Sequence, residues 1–138
     1  MRLLPCLLIA LLLPACSPSP TAVAENYLKA IKSGKLTDQQ KLFCIPSDAE
    51  QSKIKSAPTW SILGEEERES DGYKYKDVTV KVNDQTMVIR VWKTENAYQH
   101  QQALVIKLRE QGIDIKNAVE SRSRWTTQAF CVVVEEKN

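Results

Sequence analysis

Two neighbouring stretches, "YKYKDVTVKV" (Tyr73 to Val82) and "TMVIRVWKT" (Thr86 to Thr94), constrain this chain more than any other part of it. In the first, Val78, Val80 and Val82 alternate with Thr79 and Lys81. In the second, Met87, Ile89 and Val91 alternate with Val88, Arg90 and Trp92. Successive side chains of a strand point to opposite faces, so a period of two with one apolar face describes strands lying on a core. Asn83-Asp84 between them, and Asp71-Gly72 before them, are turn residues. With "TWSILGEEERES" ahead, the pattern predicts a three-strand antiparallel meander, one face buried under helices from the N-terminal part. "WTTQAFCVVVEE", Trp125 to Glu136, reads as a final strand beginning with Trp125.

Helical spacing flanks the meander. Ala24, Tyr27, Leu28 and Ile31 recur on one face of a helix from Thr21 to Gly34, with Glu25, Lys29 and Lys32 outside and a glycine at the stop. "TDQQ" (Thr37 to Gln40) and "SDAE" (Ser47 to Glu50) match the capping box, which predicts two short helices separated at Pro46. Asn96 to Gln111 is expected to be a helix with Ala97, Leu104 and Leu108 on one side and Gly112 beyond its end. "IDIKNAVESRSR" fits neither period. The expected fold is α+β: a single domain over 21–138, with N-terminal helices packed on a curved antiparallel sheet of about four strands.

The first fifteen residues have another character. Arg2 is their only charge and Leu3 to Leu13 is almost wholly aliphatic. A bilayer-spanning helix needs about 20 apolar residues, roughly twice this run, whereas a short positive start and a short apolar stretch have the form of an export signal. Ordinary signal peptidase takes small side chains one and three positions before its cut, and Leu13 stands in the second of these. Leu13-Pro14-Ala15-Cys16 resembles the bacterial lipobox. That resemblance implies a signal peptide over 1–15, a covalent lipid on Cys16 and a lipidated tether over 16–20. The other reading is an uncleaved, partly buried apolar N-terminus. More than one acyl chain is needed for a durable anchor. Ser17, where aspartate would signal retention at the inner membrane, favours the outer membrane of a Gram-negative envelope. Four residues reach about 12 Å in an extended proline-like form, so the domain would sit close to the lipid.

Of four cysteines, Cys6 would leave with the signal and Cys16 would carry lipid. Cys44 and Cys131 remain, and in an oxidising compartment they suggest one disulfide. The long loop between them makes it worth roughly 4–5 kcal/mol at most in the chain-entropy account. The alternative is two separate buried thiols, since free cysteine packs as a small hydrophobe. Neither Cys-x-x-Cys nor any Cys/His spacing occurs, so no redox pair, structural zinc or other metal site is expected, and the lipid on Cys16 is the only expected attached group. The formal charge is +2 without a basic cluster, which gives no support to nucleic-acid binding.

Opening helices followed by an antiparallel sheet, with Trp60 at the start of the first strand and Trp125 at the last, resemble the nuclear transport factor 2-like superfamily, the cystatin-like cone. The segment "AVAENYLKAIKSGKLTDQQKLFC" is similar to the start of the mature part in small bacterial lipoproteins of that group. The resemblance covers roughly Ala22 to Val82 and Trp125 to Glu135; the excursion from Asn96 to Arg124 departs from the compact members. Enzymes of the superfamily, such as ketosteroid isomerases and scytalone dehydratases, work in the hollow of the cone, which Tyr27 could face from the first helix and Asp77 or Tyr75 from the sheet. None of these residues sits in a motif that carries a catalytic role across, so no catalytic residue is assigned.

His100 stands among glutamines with no acidic or cysteine partner within a helical turn, and reads as a surface helix residue. Glu65, Glu66, Glu67 and Glu69, beside Arg68, read as a solvated hairpin end. Gly34, Gly64, Gly72 and Gly112 are isolated and form no phosphate loop. Trp92 shares a strand face with Val88 and Arg90, opposite the core face, and is expected to be exposed in an apolar patch. Trp92, Arg90 and Tyr27 are therefore the candidate contacts to a partner or ligand. The functional expectation is a lipid-anchored, non-catalytic domain that binds an envelope protein or an apolar small molecule. The alternative is an isomerase- or dehydratase-type enzyme with an apolar cone pocket.

Overall fold

Ser19 opens the first helix: its Oγ accepts the Ala22 amide at 3.1 Å, and Pro20 supplies the preset first helical position. The computed structural model describes residues 18–52, 54–116 and 118–136; Cys16 and the segment 1–15 lie outside them. Helix α1 (Pro20–Ser33) ends at Gly34, whose φ of +75° is the left-handed turn that glycine adopts without strain. Ala24, Tyr27, Leu28 and Ile31 are all buried, as the 3.6-residue period requires.

Neither expected capping box forms. Helix α2 (Leu36–Leu42) starts from Lys35, with no side-chain cap, and a 3-10 helix (Pro46–Gln51) starts from Ile45. The left-handed turn at Gly34 leads straight into helix, with the Asp38 amide bonding Lys35 O at 3.2 Å, so Thr37 is already inside the first turn. Pro46 likewise begins its turn one residue ahead of Ser47.

Four strands form one antiparallel sheet in the order β1 (Trp60–Ser70), β2 (Tyr73–Val82), β3 (Gln85–Lys93), β4 (Phe130–Glu136). Positive φ at Asp71, Gly72, Asn83 and Asp84 gives both hairpins the turn geometry that matches strand twist. Val78, Val80, Val82, Met87, Ile89, Val91 and Val132 point inward and pack with the apolar face of α1 and with Phe43, Ile54 and Ala57. Each fully buried aliphatic chain contributes about 1.5–3 kcal/mol. A register shift between Ile62 and Gly64 sets Glu65, Glu67 and Glu69 opposite Val78, Lys76 and Lys74.

Part of the second sheet face, around Trp92 and Cys131, is covered too, which the strand pattern did not announce. Helix α3 (Thr94–Glu110) follows β3 directly and crosses back over this face, burying Ala97 and Val105, while Leu104 stays 39% exposed. The expected stripe through Leu104 is thus rotated toward Val105. β4 begins at Phe130 rather than Trp125. Ahead of it, Thr126 docks on the α2 end, donating to Lys41 O at 2.7 Å and to Cys44 O through its amide at 2.9 Å, while Gln128 and Ala129 accept from Thr94. Among the described residues no helix is long and apolar enough to cross a membrane.

Candidate functional site

Beneath α3 lies a second core made of Cys44, Trp92, Ala97, Trp125 and Cys131, with Ile45, Tyr73, Tyr75, Tyr98 and Val119 packed against it. Its centre is a disulfide. Phe43 makes a parallel bridge to Val132, and the Cys44 amide donates to Val132 O at 3.2 Å, which brings the chain after α2 alongside β4. Cys44 and Cys131 are bonded there, with Cα atoms 4.7 Å apart across 87 residues. This bond joins the helical layer to the final strand and excludes the alternative of two separate thiols.

The expectation of an exposed Trp92 is overturned. Its strand face was read correctly, but α3 covers that face, and Trp92 is only 6% exposed. Its ring lies 4.6 Å from Tyr75 and 5.3 Å from His100, centroid to centroid. Tyr27, another of the candidate contacts, is fully buried against the sheet, stacked on Phe43 at 5.3 Å and hydrogen-bonded through its hydroxyl to Ser52 Oγ. Burial pushes its phenol up to about 12, against the lowering pull of the Ser52 bond.

Arg90 is placed on the outer face as expected, but it is engaged within the protein. Its Nε donates to Asp77 Oδ1 at 2.9 Å, and its guanidinium lies 4.3 Å over the Tyr75 ring. Arg68 reaches the other Asp77 oxygen at 3.2 Å. Asp77 and Tyr75 therefore face the outer layer, away from the α1 side on which a cone hollow would lie.

His100 has partners that sequence proximity hid. Its Nε2 is 3.1 Å from Ser70 Oγ and 4.0 Å from Asp71 Oδ2, and its ring meets Tyr73 edge-on at 5.8 Å. These groups belong to the β1–β2 turn, thirty residues away, so no local spacing in the sequence could pair them with it. The acidic run behaves as expected: Glu65, Glu66, Glu67 and Glu69 are exposed, with Glu66 bonded to Arg68 and Glu67 to Lys76.

Between α3 and β4 an apolar cleft of about 290 Å³ opens beside the disulfide. Trp92, Trp125 and Cys44 line it, Leu104 and Val133 stand at its more exposed side, and His100 and Asp48 supply polar groups. Burial raises the Asp48 carboxyl above its ordinary range. Leu104 and Val133 were not singled out as contacts from the sequence. The only signal they gave was apolar character, which fits a core equally well. No group of three or more His, Cys, Asp or Glu side chains that could hold a metal occurs among the described residues. Comparison with known proteins found no matching family model, no matching curated protein and no matching solved structure.

Proposed function

We propose that this chain is an envelope lipoprotein, anchored by a lipid on Cys16 and belonging to the cystatin-like cone group, whose domain binds and does not catalyse. Its site is the cleft between α3 and β4. One observation carries the reading: an apolar recess with two tryptophans and a disulfide in its wall, open to solvent past Leu104 and Val133. Such a recess takes an apolar small molecule or one large apolar side chain of a partner protein, with orientation left to a few polar groups such as His100. The helix α1 laid along one face of a four-strand meander supports the cone assignment, with α3 as an insertion between its last two strands. A covalent anchor would supply the membrane attachment that no described helix provides.

A second reading, a small-molecule isomerase or dehydratase, is favoured by the presence of both His100 and Asp48 in the lining of the cleft. An acid and an imidazole must come within hydrogen-bonding reach to act together, and the described hydrogen bonds of His100 go to Ser70 instead.

The test is binding of 1-anilinonaphthalene-8-sulfonate to the purified full-length mature protein, followed by displacement with apolar ligands and with peptides carrying a single Trp or Leu. The binding reading expects saturable fluorescence that Leu104→Asp abolishes at unchanged melting temperature. Fluorescence indifferent to Leu104→Asp would place the dye elsewhere and sink the cleft as the site. Intact mass of the protein from its native membrane tests the anchor: acyl mass on a chain beginning at Cys16 is expected.

A further inference from the structure

The sheet extends further than α1 covers it. Thr21, in the first turn of α1, bonds Glu65 at 3.0 Å, which fixes the helix start at the rung where Glu65 faces Val78. Beyond it lie two more rungs of the inner face, with Glu67 opposite Lys76 and Val91, and Glu69 opposite Lys74. On β3 and β4 the second rung ends with Lys93 opposite Phe130. Of these, Glu67, Lys74, Lys76, Val91, Lys93 and Phe130 line a groove of about 530 Å³ that Pro20 also borders. Lys76 is paired with Glu67 at 3.6 Å, whereas Lys74 and Lys93 have no ion-pair partner among the described residues, even though Glu69 faces Lys74 in the register.

We infer that this groove is the membrane seat of the domain, with Lys74 and Lys93 taking the phosphates of anionic phospholipid headgroups. The inference rests on the Cys16 anchor proposed above. Cys16 precedes Pro20 by four residues, which span at most about 13 Å when fully extended. The bilayer surface is therefore held within that distance of the groove rim, and the end of the domain that carries α1's first turn must face it. Two ammonium groups without an ion-pair partner among the described residues then meet the negative surface that attracts lysines close to a membrane. Val91 and Phe130 leave the groove floor apolar between them, suited to the glycerol region under the phosphates. The opposite end of the sheet, where Lys81 and Asn83 lie, would point away from the lipid.

Amine footprinting of the full-length mature protein tests this. The acylated protein is acetylated first in detergent and then in vesicles of phosphatidylethanolamine and phosphatidylglycerol, and each lysine is quantified by peptide mass. Acetylation of Lys74 and Lys93 is expected to fall several-fold in the vesicles while that of Lys81 stays constant, and replacing phosphatidylglycerol by phosphatidylcholine is expected to weaken the protection. Equal acetylation at all three lysines, protection of Lys81 instead, or protection indifferent to the anionic lipid would overturn the seat. Intact mass separates this idea from the one beneath it. Acyl mass on Cys16 with unprotected Lys74 and Lys93 overturns the seat alone, and no acyl mass overturns the anchor and the seat with it.

Discussion

Cys131 stands directly opposite Trp92 on the neighbouring strand, and the two share the core that α3 closes over the outer sheet face. The disulfide thus ties the tryptophan's surroundings to the end of α2. The double variant Cys44→Ala/Cys131→Ala should lose about 4 kcal/mol of stability, less whatever the reduced chain recovers by relaxing. For a domain of this size that is a fall of roughly 15 °C in melting temperature. Calorimetry with and without reductant checks it, and tryptophan fluorescence should shift to the red in the same samples. Unchanged melting on full reduction would show that the bond clamps nothing.

His100 joins α3 to the β1–β2 turn through Ser70, with its ring against Tyr73 and Trp92. His100→Ala removes the hydrogen bond and both ring contacts, and is expected to cost about 1–2 kcal/mol. Hydrogen exchange at the amides of 70–73 and at the middle of α3 should rise together in that variant. Ser70→Ala, which removes the bond alone, should produce a smaller rise at the same amides. Exchange confined to α3 would mean that the turn is held by its own geometry.

Tyr27 keeps its proton far up the alkaline range because its phenol is buried, with a value pushed up to about 12. An exposed tyrosine ionises near ~10, so between these values the folded state holds a proton that the unfolded state has released. Stability that is fully present below pH ~10 should therefore fall as the pH climbs toward 12. In Tyr27→Phe this alkaline loss should shrink, at a cost of about 1 kcal/mol at neutral pH for the missing bond to Ser52. Tyrosinate absorbance followed alongside circular dichroism checks the sign: Tyr27 should titrate last, together with unfolding.

Asp77 is 7% exposed and holds two guanidiniums, Arg90 at 2.9 Å and Arg68 at 3.2 Å. Asp77→Ala leaves both cations on one sheet face without this carboxylate, and should destabilise the fold by about 3 kcal/mol. Replacing Arg68 alone should cost far less, since half of its side chain is in water. Chemical denaturation of the single and paired variants gives the coupling energy. A cycle showing no coupling between Asp77 and Arg90 would reduce this cluster to surface decoration.

The class, element order and inner core were legible in the sequence because each depends on local periodicity. Val78, Val80 and Val82 on one strand and Met87, Ile89 and Val91 on the next identified the buried face, and the Asn83-Asp84 and Asp71-Gly72 turns fixed the hairpins between strands. The cysteine pair was readable as one of two alternatives, and only the packing of Phe43 and Cys44 along Val132 chose between them. The capping motifs at Thr37 and Ser47 misled, because Gly34 and Pro46 start those turns earlier than the motif positions.

Alternation assigns a side chain to a face; it does not say what lies on that face. By itself the sequence determined that Trp92 and Arg90 share the side of β3 opposite the core, that one apolar helix face exists for the other side, and that Cys44 and Cys131 were available to pair. Tertiary structure alone decided that α3 turns back across the outer face and buries Trp92. It likewise brought His100 to Ser70 and left a cleft beside the disulfide rather than a hollow around Tyr27. The reason is physical: strand and helix periods are set by backbone geometry within a few residues, whereas the docking of α3 is set by contacts with other elements, such as His100 to Ser70 and Thr94 to Gln128, whose net free energy no local pattern encodes.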